Sequence, residues 1–249
     1  MLRRKIINIA MLITTLSACS GHTRPPSQVV YRYDDNRYLE LIGYNCEGAL
    51  WYHDKKRNIH KELVDGIYST YQIFTKAYIH PSEQYILIPR WEPEAYRISK
   101  DYGETWQVAT YMAPFPKLEQ DEDGHGIDYP WGKEIKRVVV VNNQAFITTD
   151  KGHLYMSSYP FEDPLLKPGG PGVDYTFIDD TYDPKGEVIQ GHIRPESPGH
   201  AWGTVVFMKA ALEHLVDGYK ENYKKLPDKE PEIKNYKGWD RMRCDMNAK

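Results

Sequence analysis

Ser99-Lys100-Asp101-Tyr102-Gly103-Glu104-Thr105-Trp106 is the stretch from which the fold is read. Asp101 stands where a carboxylate can accept N–H groups of its own loop. Gly103 supplies a backbone conformation that costs any residue with a Cβ, and Trp106 offers a ring to bury beneath a hairpin. Together they describe a stapled turn between two strands, a structural device and not a catalytic loop. Outward from it, β-rich runs recur at 38–42, 49–52, 85–88, 96–99, 106–111, 135–141 and 144–149, separated by Gly, Asn, Asp and Pro. That is how an antiparallel all-β protein is written. Twenty tyrosines support it, because aromatic rings suit pleated, half-buried surfaces. Val141-Asn142-Asn143-Gln144 predicts a two-residue hairpin turn, since Asn tolerates positive φ.

The pattern S-x-D-x-G-x-T-W, filled by Ser99, Asp101, Gly103, Thr105 and Trp106, resembles the Asp-box of sialidase-like β-propellers. A degenerate copy runs from Thr148 through Asp150 and Gly152 to Tyr155. Its offset suits a propeller blade of roughly 40 to 50 residues. The expected fold is therefore all-β, with antiparallel, propeller-like blades carrying Asp-box hairpins. One C-terminal element departs from this: over 205–226, Met208, Leu212, Leu215, Tyr219 and Tyr223 recur every three or four positions, which predicts an amphipathic helix.

The first residues set an address. Arg3, Arg4 and Lys5 precede a short apolar run that ends Leu16-Ser17-Ala18-Cys19, the order of a charged, an apolar and a cleavage region. The tetrapeptide resembles a bacterial lipobox, so residues 1–18 are expected to be a lipoprotein signal peptide and Cys19 the lipid attachment site. Ser20 stands where an inner-membrane retention signal would have Asp, which by resemblance favours the outer membrane, facing the periplasm. Residues 19–28, with Pro25 and Pro26, read as a lipidated tether, and 29–249 as a single β-rich domain. Loss of Arg3, Arg4 and Lys5 moves the formal net charge from -3 to -6, so no basic nucleic-acid footprint exists. With Cys19 acylated, Cys46 and Cys244 remain as an even pair in an oxidising compartment, either bridged or two buried thiols.

No nucleophile elbow, zinc-helix motif, phosphate-binding loop or cofactor fingerprint is present, so no catalytic residue, metal or cofactor is assigned. The acidic run from Asp121 to Asp128, with His125, lacks the ligand order of a calcium loop and reads as solvated. His192 and His200 lack neighbouring carboxylates or cysteines in register. The loop 113–133 couples Phe115, Tyr129 and Trp131 with Asp121 and Asp123, a mixture suited to an aromatic anchor with a charged rim, and is the candidate partner-binding element.

The segments Tyr31-Arg32-Tyr33-Asp34-Asp35-Asn36-Arg37-Tyr38-Leu39-Glu40-Leu41, 43–52 around Cys46, Ile79-His80-Pro81-Ser82-Glu83 and 99–106 resemble the immunity lipoproteins that accompany type VI secretion phospholipase effectors. The resemblance implies a non-enzymatic protein that binds its cognate phospholipase in the periplasm and prevents membrane hydrolysis. The alternative is an Asp-box glycan-binding or glycan-cleaving envelope lipoprotein.

Overall fold

The computed structural model describes residues 24–63, 70–91, 95–112, 119–120, 126–127, 129–157, 173–179, 187–193, 205–208 and 229–248. Four strands form an antiparallel meander: β1 (Ser27–Arg32), β2 (Arg37–Tyr44), β3 (Glu47–Asp54) and β4 (Ile59–Glu62). A short β5 (Tyr71–Gln72) pairs with β3 at Glu47 and Gly48. Along β2 the period-2 pattern puts Arg37, Leu39, Leu41 and Gly43 inside and leaves Tyr38, Glu40 and Ile42 on the outer face. Gly43 and Gly48 face each other so closely that a Cβ on Gly43 would lie 2.0 Å from the Glu47 carbonyl oxygen.

An eight-stranded sheet follows the order β6 (Ala77–Ile79), β12 (Ile135–Val141), β13 (Gln144–Thr149), β14 (Leu154–Ser157), β17 (Val205–Met208), β9 (Gln107–Met112), β8 (Ala95–Ser99) and β7 (Ile86–Ile88). Its pairs are antiparallel except β6 with β12 and β17 with β9. Two hairpins stand apart, β10 (Glu119–Gln120) with β11 (Gly126–Ile127), and β15 (Val173–Asp179) with β16 (Glu187–Ile193). The runs read as strands coincide with β2, β3, β7, β8, β9, β12 and β13 to within a few residues, and the fold is all-β. The turn at 142–143 joins β12 to β13 with both asparagines at positive φ.

Both sheets contribute to one main core. Tyr31, Tyr33, Leu39, Leu50 and Tyr52 come from the meander, and Ile86, Ile98, Val138, Val140, Ile147 and Tyr155 from the large sheet. The other face of β12 to β14 buries a smaller cluster of Val139, Phe146, Leu154 and Met156. Burial on both faces explains why Val138 to Val141 reads as a continuous apolar run and not an alternating one. Three of the buried tyrosines bond their hydroxyls to main-chain carbonyls: Tyr31 donates to the Tyr78 carbonyl at 2.9 Å, Tyr78 to the Leu87 carbonyl at 2.6 Å and Tyr71 to the Pro89 carbonyl at 2.6 Å. Rings thereby fill the core at little polar cost.

Two expectations need correction. The spacing over 205–226 predicts a helix, but Val205–Met208 is β17, whose Val-Val-Phe-Met run is β-prone and pairs on both sides. Residues 209–226 lie outside the described residues, among which there is no α-helix. The tether is also shorter than read, because Ser27 and Gln28 already belong to β1, and Gln28 exchanges hydrogen bonds with the backbone of Asp245 at 3.0 and 2.8 Å.

That last contact belongs to the C-terminal tail, which covers the exposed edge of β1. Trp239 N–H donates to the Arg32 carbonyl and Arg243 N–H to the Val30 carbonyl, each at 2.8 Å. On its other side the tail carbonyl of Asp240 receives Tyr78 N–H of β6 at 2.8 Å, so the tail bridges the two sheets. Met242 is buried beneath it and Trp239 packs on the core. Cys244 is disulfide-bonded to Cys46, 198 positions away, with Cα atoms 5.8 Å apart. Such a bridge contributes about 4 kcal/mol, at the upper end of the usual range for native disulfides.

Candidate functional site

The strand directions give the molecule two dissimilar ends. At one, called here the turn end, lie the turns 33–36, 55–58, 81–85, 100–105 and 142–143. They are joined by Tyr102 N–H to the Gln84 carbonyl at 3.1 Å and Asn143 N–H to Ser82 Oγ at 2.9 Å. Short-range polar bonds close them. Asp34 accepts from the N–H groups of Asn36 and Arg37 at 2.8 and 2.9 Å and pairs with Arg37 Nε at 2.7 Å. Burial works against the Asp34 carboxylate, but Arg37 and those N–H groups outweigh it and hold its pKa below the usual range. Asp54, fully buried, repeats the device with Lys56, Arg57 and the Arg57 guanidinium.

Arg57 then reaches across to the large sheet. It pairs with Glu83 at 2.7 Å and lies 4.1 Å over the Tyr102 ring, clamping the β3–β4 turn to the turn at 99–106. In that turn Asp101 accepts from Thr105 N–H at 2.9 Å and Thr105 Oγ1 at 2.6 Å, while Ser99 Oγ accepts from Gly103 N–H at 2.8 Å. Gly103 has φ of 99°, and an added Cβ would lie 2.2 Å from the Tyr52 ring. Trp106 Nε1 donates to the Gly103 carbonyl at 2.9 Å, and its ring meets Tyr52 edge-on. Burial pushes the Lys100 ammonium down to about 8. The second stretch, 148–155, behaves differently. Its turn lies at the far end of β13 and is closed by Thr149, whose Oγ1 accepts His153 N–H at 3.0 Å.

The outer face of the meander carries a ladder of rings. Tyr38 stacks flat on His53 at 4.4 Å, Trp51 stacks on His60 at 4.6 Å, and the two imidazoles meet through their Nδ1 atoms at 2.9 Å. Burial lowers the pKa of His53 against the opposite pull of Glu40, whose carboxylate lies 2.8 Å from His53 Nε2. A neutral His53 lets one ring donate and the other accept, which makes the pair a cross-strand fastener between β3 and β4.

The other end is the disulfide end. Here Gly43 N–H donates to the Pro26 carbonyl at 3.0 Å, Cys46 meets Cys244, and β5 joins β3. The start of β12 lies at this same end, and with it Trp131 and a single 3-10 turn, Gly132–Glu134, that the sequence reading missed. Trp131 is 42 % exposed, whereas Tyr129 is half-buried against the core, its ring 6.3 Å from that of Tyr111. The two candidate anchors thus stand side by side, one packed and one presented to solvent. Phe115, Asp121, Asp123, His125 and Cys19 lie outside the described residues, as does His200. Tyr44, Trp91 and Met246, exposed by 51 %, 49 % and 59 %, were not singled out from sequence. Only the position of Tyr44 beside the turn cysteine could have drawn attention to them.

Among the described residues, no group of three or more His, Cys, Asp or Glu is placed to hold a metal ion. Nor is any helix there long and apolar enough to cross a membrane. No curated protein matches the chain. A solved structure titled "YCF48 bound to D1 peptide" is similar at 17% identity and a TM-score of 0.32, over 72% of this chain. The match spans about 56% of the length of that structure's chain. A family model, described as T6SS Tli3 immunity protein, matches residues 23–149, which hold the whole meander, the turn at 99–106 and β12 with β13. By that match over half its length, the chain belongs to the T6SS Tli3 immunity protein family.

Proposed function

We propose that this protein is a lipid-anchored immunity protein that binds a cognate type VI secretion phospholipase in the periplasm and neutralises it before it hydrolyses the membrane. The family match across residues 23–149 carries the immunity reading. The phospholipase and the anchor rest on the quoted sequence resemblances. Acylation of Cys19 confines the inhibitor to the compartment and surface where such an enzyme attacks, which raises its effective concentration without any added contact. An inhibitor needs no chemistry of its own. It acts by covering the catalytic mouth or the membrane-binding face of the enzyme with a rigid surface.

The proposed contact is the 113–133 segment, with Phe115 and Trp131 as anchors, Tyr129 behind Trp131, and Asp121 and Asp123 on the rim. Trp131 suits the part, since a large ring exposed beside a packed one loses little side-chain freedom on burial. Co-expression with a phospholipase encoded beside this gene and exported to the periplasm tests the reading. Growth should be rescued by the wild-type chain, and purified chain should bind the enzyme without degrading phospholipid itself. The Phe115→Ala/Trp131→Ala variant, with an unchanged melting transition, should bind at least about tenfold more weakly. Unchanged affinity removes the segment from the contact, and absence of rescue or binding removes the phospholipase reading.

A further inference from the structure

We propose that the disulfide end is a lipid-contacting surface, laid on the leaflet that holds the Cys19 anchor, with Tyr44, Trp91 and Met246 as its contact side chains. The inference rests on the acylation reading given above. It begins from where the exposed apolar groups are. Among the described residues, Tyr44, Trp91 and Met246 are the three most exposed large hydrophobic side chains. Tyr44 opens the two-residue β2–β3 turn that carries Cys46, and Met246 lies two residues beyond Cys244. Trp91 lies two residues beyond Pro89, whose carbonyl takes the Tyr71 hydroxyl, and Tyr71 pairs with Gly48 in that same corner and touches Met242. Three distant parts of the chain therefore converge on one end to present a tyrosine, a tryptophan and a methionine.

At the opposite end the exposed ring of Tyr102 is covered by the Arg57 guanidinium, and the turns are closed by carboxylates. The chemistry of the disulfide end fits a bilayer interface better. Tyr and Trp put an apolar ring into the headgroup layer while keeping a polar tip wet, and Met adapts to an irregular apolar surface. Arg24, exposed two residues before Pro26, lies at the same corner and can face lipid phosphates.

The point where the leash enters the fold favours this orientation. The buried Pro26 accepts Gly43 N–H at this end, so the chain enters the fold here. Seven residues separate it from Cys19, a reach of at most about 25 Å even when fully extended. From Gly43 back to Arg37, β2 carries the fold about 20 Å away from this corner, and the turns 33–36 and 55–58 lie beyond it. A leash that enters here keeps the disulfide end within reach of the leaflet at every extension, whereas the turn end comes near it only when the leash is stretched to almost its full length.

The test uses the acylated protein, purified from membranes and reconstituted in phosphatidylethanolamine/phosphatidylglycerol vesicles with brominated acyl chains, which quench tryptophan at short range. In a Trp131→Phe background, which removes the other exposed tryptophan of this end, Trp91→Phe should remove more than half of the quenchable fluorescence, and Trp106→Phe, at the turn end, none of it. Equal losses, or no quenching of Trp91, overturn the proposal. As a second arm, Tyr44→Ser/Trp91→Ser/Met246→Ser should leave phospholipase affinity in detergent unchanged. A tenfold fall would make this corner a protein interface and overturn the lipid assignment. The mass of the N-terminal peptide separates the two readings: an unmodified Cys19 sinks the anchor and this inference with it, whereas acylated protein with an unquenched Trp91 sinks the inference alone.

Discussion

The turn end and the disulfide end are closed by opposite strategies. At the turn end the bonds that close each turn span a few positions: Asp34 reaches two and three residues ahead, Asp54 does the same, and Asp101 reaches four. At the disulfide end the ties join residues 198 and 217 positions apart. Local closure costs little chain entropy and can form early. Remote closure must overcome a large loop entropy and rewards the fold only once both sheets stand. The difference teaches that the meander is held by its own sequence at one end and by the far terminus at the other.

The sharpest way to break this contrast is Cys46→Ser. It should lower unfolding free energy by about 4 kcal/mol in a denaturant titration, and it should make the tail after Lys229 the first site of proteolysis. A loss below about 1 kcal/mol would mean that the backbone ties to Arg32, Val30 and Gln28 hold the tail without the bridge.

Gly103→Ala tests the turn end. Its positive φ and the Tyr52 ring 2.2 Å from the new Cβ should together cost about 2 kcal/mol. The damage should stay local, leaving hydrogen exchange of the tail amides unchanged. If the tail amides exchange faster too, the two ends are one cooperative unit.

The smallest expected effect is a pH dependence. Burial, with the Arg37 charge adding to it, lowers the pKa of His80 well below its usual value, and burial also lowers that of His53. Both rings fold neutral, so the unfolded chain binds more protons once the pH falls below about 6.5. Their stabilisation is complete above that pH and is lost as pH falls toward the folded values, by at most about 1.4 kcal/mol per pH unit for the fully buried His80. Between pH 6.5 and 5 the carboxylates Asp34 and Asp101, whose pKa values are held below the usual range, stay ionised and contribute no slope. Thermal melts of wild type and His80→Gln across that window should differ in slope, most of it vanishing in the variant.

Legibility in the sequence follows the same division. Asp101, Gly103 and Trp106 announce their turn because the hydrogen bonds that close it span four residues or fewer. Asn142 and Asn143 announce theirs because φ is a local property. The period-2 pattern of β2 and the apolar run of β12 were readable for the same reason. β1 was half missed, since its edge is satisfied by a tail more than 200 positions away, and β17 was misread because Val-Val-Phe-Met opens a segment that also satisfies a helical period. Of the candidate contact, Trp131 was legible as an aromatic among acidic residues, but its exposure beside a packed Tyr129 is a tertiary fact. The convergence of Tyr44, Trp91 and Met246 leaves no trace in spacing at all.

The tail strip between β1 and β6 also sets a timetable. Its residues are made after both strands that it covers, so the seam over Tyr31 and Tyr78 stays open, with an unpaired strand border, until the tail docks. A prematurely terminated product retains nearly every segment of the family match yet lacks the cover for its own flank. The tail is thus the element that turns an open strand border into a closed seam.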